Sequence, residues 1–276
     1  MTAETKLTEE DIAWVKAYEK DVCGAFAVIF GGAKDRFKDG DRLLKRFAAT
    51  IEEVLKNGRG HFRAVDEAHN ELCVAAAILQ NGNPEFSTLE YEPALEGCAK
   101  SIDFRAKAAD GLTLFIDVKT IKPAAKDRWE QFERARKEGW LPENVQLLFS
   151  KEWLGGELWH NSFAARSRML EYTLELEQKI AECKLQADNT FFVLMLCGEG
   201  FYWHEDEFED FVAFYFTGAY RSDDPFSKAE AQHMGENSLK LAKTISRFAC
   251  MRRPQGEVHK KRLNWNVRPP VDPSYL

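Results

Sequence analysis

Over residues 62 to 80, "FRAVDEAHNELCVAAAILQ", apolar side chains return every three or four positions, which predicts a helix. Its buried stripe is Val65, Ala68, Leu72, Ala75, Ala76 and Leu79. Glu71 projects at the margin of that stripe, between Ala75 and Ile78, and Glu67 lies one turn earlier and further towards solvent. The period then changes. "FSTLEY" at 86 to 91, "SIDFRAKA" at 101 to 108 and "LTLFIDVKTI" at 112 to 121 read as strands, and "AADG" between the last two is a hairpin signal. Side chains alternate along a strand, so Leu112, Leu114, Ile116 and Val118 share one face and Thr113, Phe115, Asp117 and Lys119 the other.

Upstream, Thr8 followed by Glu9, Glu10 and Asp11 reads as a capping box that opens a helix carrying Ile12, Val15 and Trp14 inward. "FGGAKDRFKDGD" at 30 to 41 is a turn, since its acids lack the alternate spacing of a calcium loop. A second helix is predicted over 41 to 56. Downstream, Pro123 stops the third strand. Helices are predicted over 126 to 139, 162 to 184, 204 to 218 and 226 to 249, and strands over 145 to 150 and 190 to 197. This alternation predicts an α/β fold, a mixed central sheet flanked by helices.

The totals narrow the class. A chain of 276 residues with 45% hydrophobic and 30% charged positions suits a folded globular protein. No apolar run approaches the roughly 20 residues needed to span a bilayer, and the charged N-terminus lacks a signal-peptide core. No two of the six cysteines form a CxxC pair, and several sit in apolar runs. The expectation is reduced thiols in a cytoplasmic protein without a membrane partner. A net charge of −7 argues against a uniformly basic surface. Residues 100 to 136, however, hold nine basic and six acidic side chains, a local excess of +3. Such a patch suits phosphate contact, with Lys122, Lys126, Arg128, Arg134 and Arg136 as candidates. For the last three, a solvated helix face beside Glu130 and Glu133 is the bland alternative. Residues 247 to 268 hold seven basic side chains and one acid, with Trp265 able to stack on a base. An extended tail packed on the protein's own acidic surface would have the same composition.

The acids inside the strands raise the chemical question. An ionised group in an apolar segment is costly unless it is paired, hydrated or bound to a metal. Asp103 and Asp117 stand on the two arms of the predicted hairpin, and Lys119 shares the face of Asp117. Hard divalent ions take oxygen ligands and keep some water, so two or three carboxylates around one point suffice.

The acid-bearing helix, the strand with Asp103 and the following "IDVKT" resemble the PD-(D/E)xK nuclease superfamily, over residues 62 to 150. Ile102 stands where that family's first half-motif has Pro. The resemblance implies a restriction-endonuclease-like core at 61 to 151. Residues 1 to 60 become a helical N-terminal addition, and 152 to 276 a C-terminal extension completing the same domain, with a basic tail at 247 to 268. It further implies that Asp103 and Asp117 hold Mg²⁺, with Mn²⁺ as a substitute. Glu71 assists directly or through water, and Lys119 orients the attacking water. The expected activity is hydrolysis of phosphodiester bonds in nucleic acid, DNA by family analogy.

Two rivals stand beside this. One is a nuclease-shaped module without catalysis, binding nucleic acid or a protein partner, or a second copy, through its C-terminal half. The other is a same-face Asp117–Lys119 ion pair on a half-exposed strand of an unrelated α/β protein. His69-x-Glu71 matches half of a zinc deaminase motif, but its cysteine pair is missing. HExxH, GxSxG, Walker A and GxGxxG motifs do not occur.

Overall fold

Thr8 opens the first helix in the computed structural model of the chain. Its hydroxyl accepts from the Asp11 amide at 3.1 Å, while the Asp11 carboxylate accepts from the Thr8 amide at 2.9 Å, closing the capping box. The structure describes residues 7–58, 62–80, 85–95, 101–121, 157–183, 189–199, 205–223, 228, 231, 241–253 and 262–264. The predicted helix at 126–139, the predicted strand at 145–150, and Lys122, Lys126, Arg128, Arg134, Arg136 and Trp265 lie outside them.

Helix α1 is Glu9–Gly32, α2 Gly40–Asn57 and α3 Phe62–Gln80. Helix α1 buries Val15, Val22, Phe26 and Phe30. It runs on to Gly32, past the start of the expected break, because Phe26 and Phe30 have aromatic neighbours to pack against. Their rings lie 5.8 Å apart, and Phe30 meets Phe37 edge to face at 5.1 Å. Trp14 does not point inward as expected; it is 60% exposed and stacks flat on Tyr18. Helix α2 buries Leu43, Phe47, Ile51 and Val54, and its first residue is glycine for a steric reason. A Cβ on Gly40 would come within 2.9 Å of the Phe30 Cβ, so the close approach of α1 and α2 needs its absence. In α3 the apolar stripe is buried, and His69, Asn70 and Glu71 are buried with it. His69 accounts for itself: Tyr18 Oη lies 2.8 Å from its Nδ1, and the rings of Phe26 and Phe47 lie about it.

Strands β1 (Phe86–Tyr91), β2 (Phe104–Ala108) and β3 (Thr113–Thr120) form an antiparallel meander. The β2–β3 turn works as the sequence suggests. Gly111 takes a φ of 88°, a left-handed conformation that suits glycine, and Asp110 accepts from the Leu112 amide. Alternation along β3 is weaker than expected, since Leu114, Phe115, Ile116 and Asp117 are all buried and both faces are covered. Strand β4 is Thr190–Glu199. Thr113 donates to the Asn189 carbonyl and Ile121 to the Cys197 carbonyl, so β3 and β4 advance in the same direction. The fold is therefore α/β with a mixed sheet, as the sequence predicts.

The chain divides into two compact units. Unit 1 comprises residues 1–120 with 186–193, and unit 2 residues 121–185 with 194–276. Unit 1 contains α1, α2, α3 and β1–β3. Unit 2 contains α4 (Glu157–Cys183), the later part of β4, α5 (Glu205–Thr217), β5 (Arg247–Arg253) and β6 (Arg262–Asn264).

Two expectations are corrected in unit 2. The predicted helix over 226 to 249 does not reach 249, because residues 247–253 form β5, paired antiparallel with β6. Phe248, Ala249, Cys250 and Met251 are buried, so the start of the basic stretch is a core strand rather than an extended tail. The cysteines are not uniformly reduced either. Cys23, Cys73, Cys197 and Cys250 are thiols, but Cys183 is disulfide-bonded. Disulfide pairing depends on which side chains the fold brings together, and no local spacing announces it. No helix among the described residues is long and apolar enough to cross a membrane.

Candidate functional site

Register builds the site. Strands β2 and β3 pair Phe104 with Ile116 and Arg105 with Phe115. Carried one residue further, that register sets Asp103 across from Asp117. Residues directly opposed in an antiparallel pair project from the same face. The contact is direct on one side, as the Val118 amide donates to Asp103 Oδ2 at 2.6 Å. On the other side of Asp103, its carbonyl accepts from the Glu92 amide at 2.7 Å. Glu92, just after β1, Asp103, just before β2, and Asp117, within β3, thus follow one another across the sheet.

Asp117 has no exposed surface, and Lys119 Nζ lies 3.5 Å from its Oδ2. The expected same-face placement of these two residues therefore holds. The alternative of a same-face ion pair is present too: the two charges lie together, with Asp117 wholly buried and the Lys119 side chain keeping 21% of its surface in solvent. The pair leads from the core outward, ammonium last.

Glu71 reaches this end of the sheet from α3. Its neighbour Asn70 ties the helix down, donating to Thr120 Oγ1 at 2.7 Å at the end of β3. Glu71 Oε2 accepts from Tyr91 Oη at 3.0 Å and is bridged by Arg46 Nη1 at 3.0 Å. Burial, reinforced by the nearby negative charge of Asp103, pushes the Glu71 carboxyl up to about 8. Arg46 and the Tyr91 hydroxyl oppose that rise without cancelling it. Glu71 and Asp103 are therefore electrostatic neighbours.

Sequence reasoning missed the positive half of the site. Arg46, from α2, also contacts the Tyr91 hydroxyl and lies 3.3 Å from Glu92 Oε1. Arg42, one turn earlier, bonds the Tyr91 carbonyl, lies 3.7 Å from Glu92 Oε2, and holds its guanidinium 4.8 Å from the Tyr91 ring centroid. Burial, with Glu71 next to it, also raises the Tyr91 hydroxyl above the usual tyrosine range. Glu92 takes a φ of 46°, uncommon for a residue with a side chain. The signal available in the sequence was weak: two arginines four apart on the predicted helix over 41 to 56, with no hint of what they would meet.

The donor set is hard oxygen, which suits Mg²⁺ or Mn²⁺ rather than a soft metal. One amide uses only part of a carboxylate's acceptor capacity, so the bond from Val118 is compatible with Asp103 acting as a ligand. A three-carboxylate cage is not present: among the described residues, no group of three or more His, Cys, Asp or Glu is gathered to hold a metal. No family model, no curated protein and no solved structure matches the chain.

Proposed function

We propose that the chain is a Mg²⁺-dependent phosphodiester hydrolase acting on nucleic acid, with DNA as the substrate and a restriction-endonuclease-like arrangement in unit 1. The observation that carries this reading is the β2–β3 register, which opposes Asp103 and Asp117 and sets Lys119 beside a fully buried Asp117. An acid without exposed surface, answered by a lysine at 3.5 Å, is an expensive way to stabilise a strand. It is a reasonable way to keep a cation-binding oxygen in place. When bound, the divalent ion would stabilise charge on the phosphate and lower the pKa of its water.

The chain's own residues do the rest. Asp103, just before β2, and Asp117, on β3, would hold the ion. Lys119, at the wet end of the pair, neutralises charge developing on the phosphate and orients the attacking water. Glu71 is an accessory acid that shapes the local field. Lys122, Lys126 and Arg128 are proposed phosphate contacts on the basis of the charge excess around them. Plasmid or oligonucleotide cleavage by the purified chain should require Mg²⁺ or Mn²⁺ and vanish in Lys119→Ala. Absence of metal-dependent cleavage on single- and double-stranded DNA and RNA would overturn the assignment.

A second reading has its own support. Asp103 accepting from the Val118 amide is also how an aspartate closes the end of a strand ladder, and Glu71 is engaged by Arg46 and Tyr91. These features suit a module of the same shape that binds nucleic acid or a protein partner without cleaving. In that case calorimetric titration with Mn²⁺ shows no binding, and nucleic-acid affinity is indifferent to chelators.

A further inference from the structure

Helix α1 changes character halfway along. From Val22 to Gly32 it carries no charged side chain, yet Gly24, Ala25, Ala27, Val28, Gly31 and Gly32 are exposed on it, Val28 with 77% of its surface. Helix α2 is built in the ordinary way: each of its exposed positions except Ala49 is charged or polar. A helix segment that is apolar all round belongs between two layers of protein, since packing on one side needs only one apolar stripe. Val22, Phe26 and Phe30 form the stripe buried within unit 1. The opposite stripe is open. We infer that this open face of α1 is a homodimer contact, packing antiparallel on the same face of a second copy of the chain. It goes beyond the hydrolase reading and does not depend on it.

Charge selects this occupant. Lys20 and Asp21 precede the apolar segment, Lys34 and Asp35 follow it, and all four are exposed. An antiparallel pair centred between residues 27 and 28 sets position 20 against 35 and position 21 against 34. Lys20 then meets Asp35 of the second copy and Asp21 meets its Lys34, and two-fold symmetry makes each pair twice. A parallel pair would instead bring together both first turns, each with Glu9, Glu10 and Asp11. Shape agrees with charge. A Cβ built on Gly24, Gly31 or Gly32 meets nothing within 4 Å, so no packing inside the described chain requires glycine there. Glycine in a helix is costly relative to alanine. Against a second helix the same residues permit a close approach. Val28 of each copy then sits in a hole bounded by Gly24, Ala27, Val28 and Gly31 of the other. Two half-helices bury little area, so the association is weak and reversible. Trp14, also exposed, is stacked on Tyr18 outside this segment.

Sedimentation velocity of the full chain over a rising micromolar concentration series tests the inference. Wild type should pass from monomer to dimer. Val28→Glu, made on an exposed side chain, should keep a native circular dichroism spectrum and weaken the dimer at least about tenfold. Asp21→Lys and Lys34→Asp should each weaken it about threefold. The two together should return it to within about twofold of wild type, because each ion pair is then reversed rather than broken. A wild type that stays monomeric overturns the inference, and co-sedimentation of that monomer with anionic lipid vesicles would assign the face to a membrane surface instead. A dimer indifferent to Val28→Glu also overturns it. So does a failure of the double charge reversal to restore association, since the antiparallel register is then wrong. These three charge variants decide the matter even if Val28→Glu does not fold. None of the readouts involves cleavage or metal, so the hydrolase reading stands or falls separately.

Discussion

Both units bury carboxylates, and they answer them differently. In unit 2, Asp210 on α5 accepts from Arg166 at 2.7 Å, from the amides of Arg221 and Ser222 at 2.9 and 2.8 Å, and from the Ser222 hydroxyl. Glu177 on α4 likewise accepts from Tyr215 Oη at 2.6 Å and from the amides of Ala242 and Thr244 at 2.7 and 3.0 Å. Each is surrounded by donors and fastens a loop: 218–222 in one case, 241–245 in the other. In unit 1, Glu71 meets two side-chain donors, but burial first, and then the like charges of Asp103 and Glu92, drive its carboxyl up to about 8. A buried acid encircled by donors is a fastener. A buried acid crowded by other acids costs stability, and perturbed groups of that kind gather where chemistry is done.

The largest test of this contrast is the removal of Asp117. Asp117→Ala should reduce metal-dependent cleavage by at least about 10²–10³-fold, the scale on which loss of a preorganised electrostatic group is felt. Its denaturation midpoint should fall less than that of Asp210→Ala, because the partner left behind, Lys119, keeps 21% of its side chain in solvent and can be hydrated. A large fall in stability with activity intact would make Asp117 a fastener like Asp210.

Asp210→Ala should behave in the opposite way. It leaves Arg166, nearly as buried, without its carboxylate, and urea unfolding of unit 2 should show a loss of about 3–5 kcal/mol. A change below about 1 kcal/mol would mean that the clasp is dispensable and the contrast drawn too sharply.

The pH dependence comes next. Glu71 has a folded-state pKa of about 8 against an ordinary 4.5, so between those values the unfolded chain has released a proton that the folded chain retains. This group favours folding below about 4.5, and that contribution is lost as the pH rises through about 8. Glu71→Gln removes the titration. Its stability measured from pH 5 to 9 should decline less than that of wild type, and parallel curves would show that Glu71 is ionised throughout. The smallest expected effect is Ser222→Ala. It deletes one of several donors to Asp210 and should cost about 1 kcal/mol in the same urea assay.

Much of unit 1 is legible in the sequence. The stripe from Val65 to Leu79 predicts α3 with the bounds observed, "FSTLEY" coincides with β1, and the alternation of "IDVKT" puts Asp117 and Lys119 on one face. Failures occur where a distant partner decides. The expected turn begins at Phe30, yet Phe26 and Phe30 carry α1 through to Gly32 by packing. "RFACMRR" carries basic residues about an apolar centre, and pairing with β6 makes it a strand. Tyr91 and Arg46 lie 20 and 25 positions from Glu71, too far for any periodic pattern to join them.

What the sequence determined by itself is local: where helices and strands begin, which side chains share a face, and that Asp103 and Asp117 stand on two arms of one hairpin. These follow from bond geometry and from the period of the backbone, which act over a few residues. Only the tertiary structure decided that Glu71 faces Arg46 and Tyr91, that Asp117 loses all contact with solvent, and that Asp210 and Glu177 become fasteners. Burial and charge compensation depend on what the rest of the chain brings close, and no short stretch carries that information.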